Sequence, residues 1–104
     1  MTDGDNSTEM LSRIRDILLQ NKDELARTYR VKSLGVFGSF VRGEYRDNSD
    51  IDILVEFIEN PGLIDFIALE NRLGELLGAK VDLVMKDGLK PAIGERILRE
   101  VMPA

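Results

Sequence analysis

The sequence predicts an α/β layered fold, and three observations predict it. Apolar residues at helical spacing alternate along the chain with short strand-like runs. The run at residues 50–57 (DIDILVEF) places Ile51, Ile53, Val55 and Phe57 at period two, as a strand with one core face requires. Turn signals at Asn60-Pro61-Gly62 and Asp87-Gly88 separate the segments. The 104 residues, 43% of them apolar, suffice for one domain over residues 1–104 with its own core, residues 1–5 being loose.

In chain order, Asn6 with Glu9 has the spacing of a helix N-cap and its N3 partner. Met10, Leu11, Ile14, Ile17 and Leu18 then repeat at helical spacing. Asn21 with Glu24 repeats the cap signal, so the first helix is expected to break near Gln20 and a second to run to about Tyr29. Residues 31–37 (VKSLGVF) read as a strand ending at Gly38-Ser39, and residues 40–46 as a helical turn and loop. After the strand at 50–57, Leu63, Phe66, Ile67, Leu69, Leu73, Leu76 and Leu77 form an amphipathic helix that Gly78 closes. Residues 79–85 read as a third strand. Pro91 suits the first turn of a last helix with Ile93, Ile97, Leu98 and Val101 on its apolar face.

Composition narrows the chemistry. A net charge of −5 argues against general nucleic-acid binding, which needs a basic footprint. The chain has neither cysteine nor histidine. Disulfides, thiolate or imidazole zinc sites and the Ser-His-Asp triad are thereby excluded. Any catalysis must use carboxylates, hydroxyls, Lys, Arg or backbone amides. The acidic N-terminus lacks the apolar stretch of a signal peptide, and no run is long enough for a membrane span, so a cytoplasmic protein is expected.

One constellation carries chemistry. Asp50 and Asp52 share the strand face opposite Ile51 and Ile53, about 7 Å apart at Cα by strand rise. Adjacent carboxylates repel unless a cation lies between them, and an all-oxygen set favours Mg²⁺ or Mn²⁺. The third strand repeats the pattern, with Val81, Leu83 and Met85 on one face and Lys80, Asp82, Val84 and Lys86 on the other. If it neighbours the second strand, Asp82 joins Asp50 and Asp52, and three carboxylates can hold two metal ions for an in-line phosphoryl displacement. Gly38-Ser39, at a strand-to-helix junction, offers backbone N–H groups and a hydroxyl to an anion, with Arg42 one turn further on. The spacing and the missing Lys exclude a Walker A loop. Singly, a Gly-Ser is a turn signal and an Asp-x-Asp a solvated face; their conjunction in this order carries the reading.

The stretch GSFVRGEYRDNSDIDILVEF resembles the signature of the minimal nucleotidyltransferases of the DNA polymerase beta superfamily. Gly38, Ser39, Asp50 and Asp52 fall on its Gly-Ser and Asp-x-Asp positions, Asp82 in KVDLV on its third carboxylate, and LKPAIGERILREVM resembles its last helix. The resemblance implies the nucleotidyltransferase version of an α+β fold, a small three-stranded mixed sheet flanked by four to five helices. It also implies that Gly38 and Ser39 hold the triphosphate, with ATP as substrate. Asp50 and Asp52 would bind two Mg²⁺ ions, and Asp82 would complete the metal site nearest the acceptor hydroxyl.

Stand-alone members of that family are commonly antitoxins that add AMP to a tyrosine of a HEPN-domain ribonuclease toxin, which makes such a toxin the implied partner. Two other readings stay open at this point. One is an antitoxin that neutralises by binding alone; the other is a transferase acting on a small molecule such as an antibiotic.

Overall fold

The computed structural model describes residues 4–46 and 48–104, with side chains from Glu9 onward. Its elements run α1 (Gly4–Gln20), α2 (Lys22–Tyr29), β1 (Val31–Phe37), α3 (Ser39–Arg42), β2 (Ile51–Phe57), α4 (Leu63–Leu77), β3 (Val81–Met85), a 3₁₀ turn (Lys86–Gly88), α5 (Pro91–Glu100) and β4 (Met102–Pro103). Residues 1–3 of the expected loose N-terminus lie outside the described residues, while Gly4 and Asp5 belong to α1. Helix α1 therefore starts upstream of Asn6, within the usual uncertainty of a helix end. A cap made by the Asn6 side chain lies outside what is described.

The break near Gln20 is present, but its chemistry differs from a second N-cap. Asn21 sits at the start of α2 without capping it. Its Nδ2 instead donates to the Ile17 carbonyl at 2.8 Å, a second bond to an acceptor that also takes the Asn21 backbone N–H at 3.2 Å. Glu24, expected to pair with that cap, receives two hydrogen bonds from Arg72 of α4, at 2.9 and 3.0 Å, tying α2 to α4. Helix α2 ends on Arg30 at φ 59, a left-handed position that costs a non-glycine residue about 1 kcal/mol. Arg30→Gly is expected to raise stability by about 0.5 kcal/mol in urea unfolding. A loss above about 1 kcal/mol would show that the exposed Arg30–Glu59 ion pair outweighs the backbone strain.

The sheet order is β3-β2-β1-β4. Strands β1 and β2 are antiparallel, β2 and β3 parallel, with α4 as the crossover that parallel neighbours require. The expectation of three strands is corrected to four among the described residues. Strand β4 has two residues, Met102 and Pro103, paired antiparallel with Val36 and Gly35. So short an edge strand, one residue of it proline, shows no alternation from which a strand is read. Gly35 admits it: a Cβ there would lie 2.5 Å from Val101 Cγ2.

Ile14, Leu18, Leu25, Leu34, Val36, Ile51, Ile53, Val55, Leu69, Leu73, Val81 and Leu83 form one buried cluster, which places α1, α2 and α4 on the same face of the sheet. The expected core face of β2 is thus confirmed at Ile51, Ile53 and Val55. The other face is more than a solvated surface: Phe37 and Leu54 are buried outside that cluster. Val101, following α5, packs over the Gly35 end of this face. Helix α5 is less covered than its pattern suggests. Ile93 is 54% and Leu98 47% exposed, and Ile97 and Val101 are half-buried.

Candidate active site

Strand pairing assembles the site. Phe37 stands opposite Asp52 across β1 and β2, and Asp52 opposite Asp82 across β2 and β3. The end of β1 and the starts of β2 and β3 therefore meet at one end of the sheet, on the face away from the main core. Asp50 immediately precedes β2, and Ser39 opens α3; both are half-buried. Of the residues singled out in the sequence, Gly38, Asp52 and Asp82 converge most closely, with Asp50 acting on Asp52 through its charge and Arg42 nearby.

Gly38 is the hinge of this arrangement. It adopts φ 80 and ψ −151, a combination essentially confined to glycine. Its carbonyl accepts hydrogen bonds from the amides of Val41 and Arg42, both at 3.1 Å, which winds α3 immediately after β1. A Cβ at this position would lie 2.0 Å from Asp52 Oδ2. The missing side chain lets the turn sit directly against the carboxylate.

Asp52 pays for this crowding in its acidity. Burial, the charges of Asp82 and Asp50, and a hydrogen bond with Asp82 push its carboxyl up to about 6; Arg42 offsets them in part. A carboxylate held this way gains from a positive ion beside it, which fits the hard-oxygen donor set. Among the described residues no three carboxylates close on a single cation position, so the contact is a pair, Asp52 with Asp82.

Arg42 and Glu100 complete the surroundings. Arg42 Nε donates to Glu44 Oε1 at 2.7 Å and Nη1 to Glu100 Oε1 at 2.8 Å, and these bonds hold the guanidinium protonated more firmly than usual. Glu100 Oε2 also accepts the Gly38 N–H at 2.6 Å. Burial works against the Glu100 charge, but the bonds from Arg42 and Gly38 outweigh it and keep its carboxyl below the usual range. A cavity of about 240 Å³ opens here between Gly38, Arg42 and Asp52 on one side and Ile93, Arg96 and Glu100 of α5 on the other.

Glu100 and Arg96 were not found by reading motifs, because they lie far along the chain in an ordinary amphipathic helix. One signal was available. Glu100 is the last residue of α5, where the helix dipole disfavours a negative charge, so an acidic residue there calls for a cationic or N–H partner.

A mixed sheet that gathers a Gly-Ser turn, an Asp-x-Asp strand and a third aspartate at one end defines a domain of the nucleotidyltransferase class. The chain belongs to the nucleotidyltransferase domain family, whose model matches residues 11–101. It is 52% identical over 92 residues to the protein adenylyltransferase MntA of Thermococcus cleftensis, covering 88% of this chain and 93% of that one. Among solved structures it resembles a candidate minimal nucleotidyltransferase, 37% identical, with a TM-score of 0.73 over 94% of this chain and 95% of that chain. The fold also recurs in a chain from the complex of a tri-AMPylated Shewanella oneidensis HEPN toxin with an MNT antitoxin. There the identity is 20% and the TM-score 0.61, over 86% of this chain and 70% of that chain. Among the described residues no helix is long and apolar enough to cross a membrane.

Proposed function

We propose that the chain is a cytoplasmic antitoxin that transfers AMP from ATP to a tyrosine of a HEPN-domain ribonuclease toxin, releasing pyrophosphate. The observation that carries the reading is the contact of the Gly38 turn with Asp52, itself in register with Asp82. In this reading the turn would bind the triphosphate directly beside a carboxylate pair, as a nucleotidyl transfer site needs. The similarity to MntA of Thermococcus cleftensis, over nearly the whole of both chains, supports protein as the acceptor class.

In this reading Asp50, Asp52 and Asp82 would share Mg²⁺ between them without all three closing on one ion, and Mn²⁺ would be an acceptable substitute. The ions supply charge neutralisation at the triphosphate, which an acidic chain cannot provide alone. The Gly38 amide, the Ser39 hydroxyl and Arg42 hold the phosphates. Asp82, on the outer strand, would complete the metal site nearest the acceptor and help activate the tyrosine hydroxyl. The phenolic oxygen gives up its proton towards the Asp82 carboxylate and bonds to the α-phosphorus, the bond from that phosphorus to the oxygen bridging it to the β-phosphorus breaks, and pyrophosphate leaves with that oxygen. Positioning and electrostatics account for the rate, with no covalent enzyme intermediate.

The test uses the purified chain, α-labelled ATP, Mg²⁺ and the protein encoded by the neighbouring reading frame. Label on a tyrosine of that protein, absent with Asp50→Ala/Asp52→Ala, is the expected result. No label, together with a tight complex that the double variant still forms, would replace catalysis with neutralisation by binding.

A further inference from the structure

We propose that Glu100 is a displaceable stand-in for a nucleotide phosphate, filling the seat made by the Gly38 amide and the Arg42 guanidinium until a triphosphate evicts it. The inference rests on the nucleotidyl transfer reading above and deepens it at the same site.

The geometry is that of a bound anion. One carboxylate oxygen takes the Gly38 N–H at 2.6 Å and the other takes Arg42 Nη1 at 2.8 Å. Both donors belong to the segment that follows β1, whereas Glu100 comes from α5, 62 positions along the chain from Gly38. The Glu100 side chain is 18% exposed, on the wall of the 240 Å³ cavity that also holds Asp52. Donors already satisfied by a carboxylate cannot serve a phosphate at the same time. Apparent affinity for the nucleotide is therefore lowered by the fraction of molecules in which the seat is filled. Eviction also has a structural consequence. Val101 and β4 follow Glu100 directly, so releasing the carboxylate frees the end of α5 and loosens the pairing of Met102 with Val36. The latch thus couples an empty seat to a closed α5, and nucleotide binding to an opened one.

Glu100→Gln removes the charge and keeps the shape. Binding of ATP with Mg²⁺, measured by calorimetry, is expected to tighten at least about fivefold, with KM falling by a similar factor. Glu95→Gln is the control: it makes the same charge change on the same helix, away from the seat, and is expected to leave affinity unchanged. In the unaltered chain, amide exchange at Gly38 and Met102 gives a second reading that needs no variant. Met102 is expected to exchange faster on adding ATP with Mg²⁺, while Gly38 stays protected. Equal or weaker binding by Glu100→Gln, or tightening of the same size by Glu95→Gln, would overturn the latch while leaving the transfer reading intact. Unchanged exchange at Met102 on saturation would also overturn it. Absence of ATP binding in every variant would sink both.

Discussion

Replacing Asp52 with asparagine is expected to abolish nucleotidyl transfer and, without divalent cations, to make the chain harder to unfold at neutral pH. The two effects have one cause. Burial and the neighbouring Asp82 and Asp50 raise the Asp52 carboxyl to about 6, from 3.8 in an unperturbed chain. The folded state therefore holds the proton more tightly than the unfolded state. Stability contributed by protonated Asp52 is full below about pH 4, declines as pH rises towards about 6, and is gone above it. Asparagine removes the charge and keeps the volume. It should stabilise the fold at pH 7 by about 1–2 kcal/mol, after allowance for water screening at this partly exposed edge. The gain should vanish near pH 4. Transfer should fall about 10³-fold or more, since a cation bound at Asp52 would lose its most crowded carboxylate. Thermal unfolding at pH 4 and pH 7 with a chelator present, beside the transfer assay, checks both halves. An Asn variant less stable than the parent at pH 7 would mean that Asp52 is held by bonds that favour its charge.

Gly38→Ala is expected to damage the fold itself. The backbone at φ 80 and ψ −151 costs an alanine about 1–3 kcal/mol, and its Cβ would meet Asp52 Oδ2 at 2.0 Å. Together these should destabilise the chain by about 2–4 kcal/mol, roughly 10–25 °C in Tm for a domain of this size. Combining Gly38→Ala with Asp52→Ala separates the parts. Shortening Asp52 relieves the collision with its outer atoms and leaves the backbone cost, so the double variant should recover part of the loss. Full additivity of the two changes would show that the turn moves as a unit and never meets the carboxylate.

Strand and helix periodicity made much of this architecture legible. Ile51, Ile53 and Val55 announced the core face of β2, and Gly78 and Pro91 marked the end of α4 and the start of α5 as the structure has them. The meeting of Gly38, Asp52 and Asp82 was legible because a Gly-Ser turn and an Asp-x-Asp strand have few reasons to occur together in that order. What escaped the reading depends on tertiary contact. Strand β4 exists because Gly35 leaves room beside Val101, and two residues carry no period. The role of Asn21 at the end of α1, in place of a cap on α2, turns on which way one amide points. Glu100 is spaced like any surface residue of an amphipathic helix, and its place at the Gly38 amide follows only from where the end of α5 comes to lie.

The outer strand β3 has one further feature. The backbone N–H of Leu83 donates to Glu70 Oε2 of α4 at 3.1 Å. A side chain from the crossover helix thus occupies a donor at the middle of β3, where a neighbouring strand would dock. Bare strand edges act as templates on which further copies of a chain can stack, and a charged side chain set into the rim interrupts that stacking. At high concentration, β3 should therefore be a poor seed for ribbon-like self-association, and any partner is steered towards recognition by side chains.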